Sequence, residues 1–484
     1  MTTAVIHSIN DLFAQWHGTA PDRIELLPQS GSDRRYFRVY AGEKTVIATH
    51  GANLAENEVF LYFSRHFAEK KLPVPAIFSV SDNGSIYLQE DLGDHSLLNE
   101  LEEKGLTAEV YDLFKESLRQ LARLQITADQ GLDYGRCLTN SEFGRQAILA
   151  DLLYFKYYFL DALRKPYDKQ KLIDDFEALS TYLTHTEYKF FMFRDFQSRN
   201  IMVKPDKKVS FIDYQGGMKG APQYDVASMI WQARANLPDE WKAGLLDDYM
   251  DAFENMLGRP VNRSAFVTQY HGYVLIRLLQ VLGAYGFRGL FERKAQFLTS
   301  IPQALNNLRW FITNFHLGIS VPEFKKVLDI CVDQEIIDRF TPLRADEHSP
   351  LVVRIFSFSY KSGLPGDDAG NGGGYIFDCR GILNPGRQDA YKSLTGRDKE
   401  VKDFLEQQTR MPEFLNSIFD IVDITVEDYI RRGFGNLLIG FGCTGGQHRS
   451  VYAADALARH LRNKFKVKIA LNHREQEAKN WNNQ

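Results

Sequence analysis

"FMFRDFQSRNIM", residues 191–202, is followed within ten residues by "SFIDYQGG", residues 210–217. Asp195 precedes Asn200 by five positions, and Asp213 stands between an apolar run and a Gly-containing turn. Phosphoryl transfer needs a carboxylate that orients or deprotonates the acceptor hydroxyl, and oxygen ligands for the magnesium ions that neutralise the phosphates. Asp195 fits the first role; Asn200 and Asp213 fit the second. The five-residue gap is a loop long enough to return Asn200 toward the metal side of Asp195, and an Asp at a strand end can project its carboxylate toward an ion. Turn capping is the plainer use of Asp and Asn. It leaves the second Asp, and the order of elements around it, unaccounted for.

Outward from this stretch the chain changes character. Residues 23–90 alternate short β-rich runs ("RRYFRVY", "KTVIATH", "PAIFSV", "SIYLQE") with turn residues, interrupted by one helix over about 54–71 whose Val59, Phe60, Phe63 and Phe67 share a face. From about 95 to 318 the apolar spacing is helical, except where "KFFMF", "NIMVK" and "KVSFID" read as brief strands carrying the polar residues. Sheet lobe followed by helical lobe is a bilobal arrangement. "RADEHSP", residues 344–350, marks a boundary, after which strands near 351–359, 374–379, 436–441 and 466–470 alternate with helices. The expected fold is therefore an α+β bilobal protein-kinase-like fold followed by a separate α/β domain. The expected domains are a kinase-like domain over 1–318 (small lobe about 20–92, large lobe about 93–318), a helical linker over 319–349 and a second domain over 350–484.

A chain of 484 residues is long enough for two or three domains. Its 44% hydrophobic and 25% charged residues are ordinary for a soluble globular protein. A net charge of -4 and a pI near 6.3 give no global attraction to nucleic acid or anionic membranes. Cys137, Cys331, Cys379 and Cys443 form no C-x-x-C pair, which argues against a zinc site and a disulfide framework. The N-terminus lacks a basic start with an apolar run, and no segment approaches 18 consecutive apolar residues, so the expectation is a cytoplasmic protein with no membrane partner.

Residues from about 20 to 318 resemble the aminoglycoside phosphotransferase and choline kinase branch of the kinase-like fold. Within it, "QSGSDRRYFRV" (29–39) and "FRDFQSRNIM" (193–202) are most similar to the anomeric amino-sugar kinases of cell-wall recycling, which phosphorylate N-acetylmuramate and N-acetylglucosamine at C1. The resemblance implies ATP and Mg2+ as cofactors and a small-molecule sugar as substrate. It also implies a nucleotide site that includes Gly31, Ser32 and Arg35, with Gln89, Glu90 and Leu92 of "YLQEDLGDHSL" bordering the adenine, and Asp225 of "QYDVAS" as a structural element. The chain departs from the family at two places. Phe193 stands where the family carries His, and Thr49 or His50 stands where kinases carry a third-strand lysine, as in the anomeric kinases it resembles. Arg34, Arg35 and Arg38 are candidates for the missing charge, and Glu58 for the helix glutamate that pairs with it.

The second constellation is "NLLIGFGCTGGQHRSVYAADALARHLRNKF". An apolar strand runs into a Gly-rich turn and then a helix whose Val451, Ala454, Ala458 and Leu461 share a face. Converging backbone N–H groups at a helix N-terminus make an anion cradle, and Arg449 can grip an anion bidentately. The spacing from Cys443 to Arg449 and Ser450 also fits C-x-x-x-x-x-R-S, the phosphate loop of cysteine phosphatases, in which the thiolate attacks phosphorus.

Residues from about 351 to 480 resemble the C-terminal domain of the RNase adapter family RapZ, through "FSFSYKSGLP", "YIFDCRGILNPG", "LTGRDKEV", "GCTGGQHRSVY" and "NHREQE". That resemblance implies a glucosamine-6-phosphate sensor with a part in RNA binding. It places the phosphate on Cys443, Thr444, Gly445, Gly446, His448, Arg449 and Ser450, sets Asp378, Arg380 and Asn384 facing the ligand's polar groups, and leaves His473 and Arg474 to complete the site or contact RNA. The Walker-type N-terminal domain of RapZ is not present in this chain. The cluster Arg462, Lys464, Lys466 and Lys468 is the sequence's one local basic run. The leading expectation is an ATP-dependent kinase of amino-sugar salvage carrying a hexosamine-phosphate sensor. A pseudokinase-based RNA adapter and a kinase–phosphatase fusion are the competing readings.

Overall fold

The computed structural model describes residues 2–27, 34–292, 295–341, 343–366, 370 and 374–478. It falls into two compact units, Met1–Ala284 with Gln303–Val332, and Tyr285–Pro302 with Asp333–Gln484. The segment 319–349, expected as a linker, is divided between them. Its helix Pro322–Cys331 packs Phe324 edge-on against Phe176 in the first unit, and its helix Gln334–Phe340 counts with the second.

The first unit opens with helix α1 (Thr2–His17), which sequence reasoning passed over although Val5, Ile9, Leu12 and Phe13 recur at helical spacing. It covers one face of an antiparallel sheet of strands β1 (Arg23–Leu26), β2 (Arg35–Ala41), β3 (Lys44–His50), β4 (Ile77–Val80) and β5 (Ile86–Glu90), ordered β1-β2-β3-β5-β4. Side chains alternate across a strand. Phe37, Val39, Val46, Ala48, Ile86 and Leu88 therefore meet α1, whereas Tyr36, Thr49 and Tyr87 turn to the other face. There helix α2 (Leu54–Glu69) lies, with Phe60 stacked on Tyr87 at 5.2 Å.

The larger lobe is helical apart from two two-stranded ribbons. One joins β6 (Phe190–Met192) to β9 (Met218–Gly220); the other joins β7 (Ile201–Val203) to β8 (Val209–Phe211). They hold the "FMFRDFQSRNIM" loop on one side and Asp213 on the other. The helix Arg263–Tyr285, continued to Phe291, is long and apolar enough to cross a membrane by length and composition. Inside the unit it serves as a packed helix: Tyr273 donates to the Leu183 carbonyl at 2.8 Å, and Gly272 approaches Leu183 so closely that a Cβ would clash.

Two devices fix the loop. Asp225, on the helix Gln223–Ile230 and fully buried, accepts from the backbone N–H of Phe193 (2.7 Å) and Arg194 (2.9 Å) and from Gln125 Nε2 (2.9 Å). On the other side, α2 supplies Phe63 and Phe67, which meet Phe191, while Phe67 and Phe60 meet Tyr214, the neighbour of Asp213. The Tyr214 hydroxyl lies 2.6 Å from Ser64 Oγ.

The second unit has a parallel sheet ordered β11-β12-β10-β13, from β10 (Val352–Ser359), β11 (Gly374–Asp378), β12 (Asn436–Cys443) and β13 (Lys468–His473). The helices Met411–Arg432 and Arg449–Phe465 bury Leu415, Ile418, Val422, Leu457 and Leu461 in its core. Parallel strands place all their carboxyl ends on one edge, where ligands of open α/β sheets bind.

Two outcomes follow. Phe67→Ala removes the ring that joins α2 to Phe191 and Tyr214, at a cost of about 3–5 kcal/mol, measured as a lowered urea midpoint for the first unit. Burial holds the Asp225 carboxyl up at about 7 from an ordinary 3.8, against the three donors that favour its charge. Between those values the folded state keeps a proton that the unfolded chain has released. The group's stabilisation is therefore full below pH 3.8 and is lost as pH rises through about 7. The urea midpoint of the wild type should fall relative to Asp225→Asn as pH rises from 5 to 8.

Candidate active site and phosphate loop

In the first unit the three residues singled out from the sequence come together. The Asn200 amide donates to the Asp195 carbonyl at 2.9 Å and approaches Asp213 Oδ2 at 3.4 Å, leaving its own Oδ1 free of that work. Asp213 adopts φ +71, a left-handed conformation uncommon for Asp, and Arg194 beside Asp195 adopts φ +79. The Asp195 side chain is 46% exposed and accessible to an acceptor. Phe193 fills its position by packing, edge-on to Phe196 at 5.3 Å, so an apolar ring supports the loop.

Sequence reasoning missed two cations here. Arg277, 6% exposed on the helix Arg263–Tyr285, brings Nη1 to 3.8 Å from Asp195 Oδ1 and donates to Gln280 at 2.6 Å. The apolar run around it hid its role. Arg194 is locked in a two-bond contact with Asp151 (2.7 and 2.8 Å) and donates to the Tyr224 hydroxyl.

The nucleotide-side expectations divide. Gly31 and Ser32 lie outside the described residues. Glu90 and Leu92 line a cavity of about 510 Å3 with Arg38, Tyr40, Asp91 and Lys204. Gln89 lies deeper, its amide donating to the Thr49 hydroxyl at 3.2 Å. Arg35 is corrected: alternation sets it with Phe37 on the α1 face, opposite His50 in the register, and away from Tyr36. Arg38 is occupied by Asp91 (2.7 and 3.1 Å) and Asp94 (2.8 and 2.6 Å), tying β2 to the "EDLGD" segment. Glu58 is also corrected. It is 72% exposed and paired with Arg136, while Glu56 of the same helix meets Arg34 at 3.2 Å.

In the second unit the carboxyl ends of the strands gather the predicted residues. Ser359 pairs in register with Cys443, Asp378 with Gly442, and Ser357 with His473. Cys443 Sγ accepts from the Gly446 N–H at 3.2 Å and lies 3.2 Å from Ser450 Oγ. Thr444 and Gly445 are exposed at the rim. Arg449 is 4% exposed; its Nη1 donates to the carbonyls of Arg380 (3.2 Å) and Ile382 (2.8 Å), and its buried Nε has no hydrogen-bond partner among the described residues. An unpaired buried guanidinium N–H is costly.

The other expected ligands already have partners within the protein. His448 donates Nε2–H to the Tyr391 carbonyl at 2.8 Å, and burial lowers its pKa, so it anchors the neighbouring turn as a neutral ring. Arg380 closes on Asp378 and holds that carboxyl below the ordinary range, while its guanidinium lies 4.1 Å from the Tyr360 ring centre. Asn384 caps its own turn through Gly386 N–H. His473 is buried between Ser357 (2.8 Å) and Asp455 (3.4 Å), which takes it out of reach of RNA, and Arg474 donates to the Gly363 carbonyl. Lys464 is paired with Asp423 at 2.8 Å, which breaks up the basic run.

Comparison with known proteins assigns both regions. Residues 23–259 match the family described as "Phosphotransferase enzyme family", and residues 351–477 match the "RapZ C-terminal domain". A "Nucleotide-binding protein" of Endomicrobium trichonymphae is 36% identical over 157 residues, covering 32% of this chain and 50% of that protein. The chain spans about half the length of the curated relatives it matches. Among solved structures, choline kinase LicA from Streptococcus pneumoniae is similar over 64% of this chain and 99% of its own, at 11% identity and a TM-score of 0.43. A Plasmodium vivax ethanolamine kinase is similar over 60% and 83%, at 13% identity and a TM-score of 0.44. With the sheet-and-helix lobes, the loop from Asp195 to Asp213 and the parallel sheet already in place, the chain has a kinase-like region that matches the phosphotransferase enzyme family model, followed by an α/β region that matches the RapZ C-terminal domain.

Proposed function

We propose that the protein is an ATP- and magnesium-dependent kinase of cytoplasmic amino-sugar salvage, phosphorylating an anomeric hydroxyl, with a C-terminal domain that senses a hexosamine phosphate. The observation that carries the reading is the convergence of Asp195, Asn200 and Asp213 around one loop. Their donor set fits magnesium, which takes few protein oxygens and keeps water and phosphate for the rest. Asp213 and the Asn200 amide oxygen would hold the ion, which supplies charge neutralisation to the transferring phosphoryl group. Asp195, exposed and facing Arg277, accepts the acceptor's proton.

The choice of sugar is supported by the resemblance of residues 29–39 and 193–202 to anomeric amino-sugar kinases, and by the pairing with a RapZ C-terminal domain in one chain. In that domain the unpaired Arg449 Nε and the Gly-rich turn support recognition of a phosphate. One observation favours a second reading, phosphomonoester hydrolysis: Cys443 Sγ stands within 3.2 Å of both the Gly446 N–H and Ser450 Oγ, at the position a nucleophilic cysteine would take in the C-x-x-x-x-x-R-S loop.

Purified protein with ATP, magnesium and a panel of N-acetylmuramate, N-acetylglucosamine, glucosamine and aminoglycosides should give a sugar 1-phosphate by phosphorus NMR. Asp195→Asn should slow it by about 10²–10⁴-fold. No product with any acceptor, together with no nucleotide binding, would leave a regulatory platform in its place. In the second domain, Cys443→Ser should leave glucosamine-6-phosphate affinity by calorimetry within about threefold of wild type, since one buried thiol-to-hydroxyl change removes no donor to the anion. Phosphate release by the wild type that the variant lacks would instead establish hydrolysis.

A further inference from the structure

Kinase chemistry fixes the nucleotide phosphates with a cation on the third strand, held by a helix glutamate. On β3 the cleft-facing position is Thr49, fully buried and hydrogen-bonded by Gln89. Lys44, at the start of that strand, lies over the Trp16 ring of α1. Of the three arginines around β2, Arg35 faces α1 and Arg38 is committed to Asp91 and Asp94.

Arg34 remains, and its surroundings are those of the missing lysine. It is 5% exposed, and its Nη2 lies 3.2 Å from Glu56 Oε1 in the first turn of α2 and 3.4 Å from the Glu56 carbonyl. The Glu56 carboxylate also accepts from Gln215 Nε2 at 3.2 Å, and that same amide donates to Asp213 Oδ1 at 2.8 Å. Arginine, glutamate, glutamine and the metal-side aspartate thus form one continuous chain of polar contacts. Tyr36 lies against the Arg34 guanidinium, and Arg34 Nε is buried without a hydrogen-bond partner among the described residues, a donor free for a ligand's acceptor.

We propose that Arg34 is the phosphate-holding cation of the nucleotide site: a nucleoside polyphosphate is bound by a guanidinium entering from the second strand, with Glu56 as its helix partner, in place of a third-strand lysine. The proposal rests on the kinase reading. A guanidinium presents a planar fork to phosphate oxygens and stays charged at any working pH. Through Glu56 and Gln215 its position is coupled to that of Asp213.

The test is calorimetric binding of MgATP and of adenosine to the full chain as wild type, Arg34→Met, Arg34→Lys and Arg34→Met with Thr49→Lys. Arg34→Met should weaken MgATP by about 10- to 100-fold, the loss expected for a charged hydrogen bond, and leave adenosine unchanged. Arg34→Lys should fall between. The double variant should regain most of the MgATP affinity, because it returns the cation to the cleft face of the third strand. Should Arg34→Met fail to fold, the MgATP affinities of Arg34→Lys and the double variant decide. Wild-type MgATP affinity in Arg34→Met, equal losses for MgATP and adenosine, or a folded double variant with no gain would overturn the role of Arg34 alone. Absence of MgATP binding to the wild type would overturn the kinase reading with it.

Discussion

A single buried carboxylate holds the centre of the first unit. Asp225 accepts from the backbone N–H groups of Phe193 and Arg194, the two residues immediately before Asp195, and from the Gln125 side-chain amide. The donors would otherwise be left unsatisfied inside the protein. With the loop fixed at one end, Arg194 takes its left-handed turn and Asn200 can return to the Asp195 carbonyl. The opposing side is held by rings: α2 presses Phe60, Phe63 and Phe67 onto Phe191 and Tyr214. Polar anchoring below and apolar packing above together define where Asp213 stands.

The loop was readable from the chain because its chemistry is local. Asp195, Asn200 and Asp213 lie on one loop and the adjoining hairpin, so spacing alone brings them near one another. The partners that arrive from distant elements were not. Glu56 and Glu58 are two positions apart on α2 and face different sides, and only packing decides which of them looks toward Arg34. Arg277 is surrounded in sequence by Val274, Leu275, Ile276, Leu278 and Leu279, a run that reads as core. Helix α1 carried a clear spacing signal that was overlooked beside the sheet.

In the second unit the strands were placed within a few residues, since each is a short apolar run bounded by turn residues. What a Gly-rich turn does with its side chains is harder to see. His448 and Arg380 looked like ligands by position, yet one secures a turn and the other closes on Asp378. Two carbonyls hold only Nη1 of Arg449, and its Nε has no hydrogen-bond partner among the described residues. The difference lies in which backbone oxygens come within reach, and that depends on the fold.

Thr49 carries a consequence for chemical probing. Reagents that report on nucleotide sites by acylating an amine, or by condensing with it to an imine, depend on a lysine nucleophile at the third strand. Here that strand presents a buried hydroxyl, and the nearby cation is a guanidinium that does not release its proton. A reagent aimed at an amine in that position finds none at Thr49.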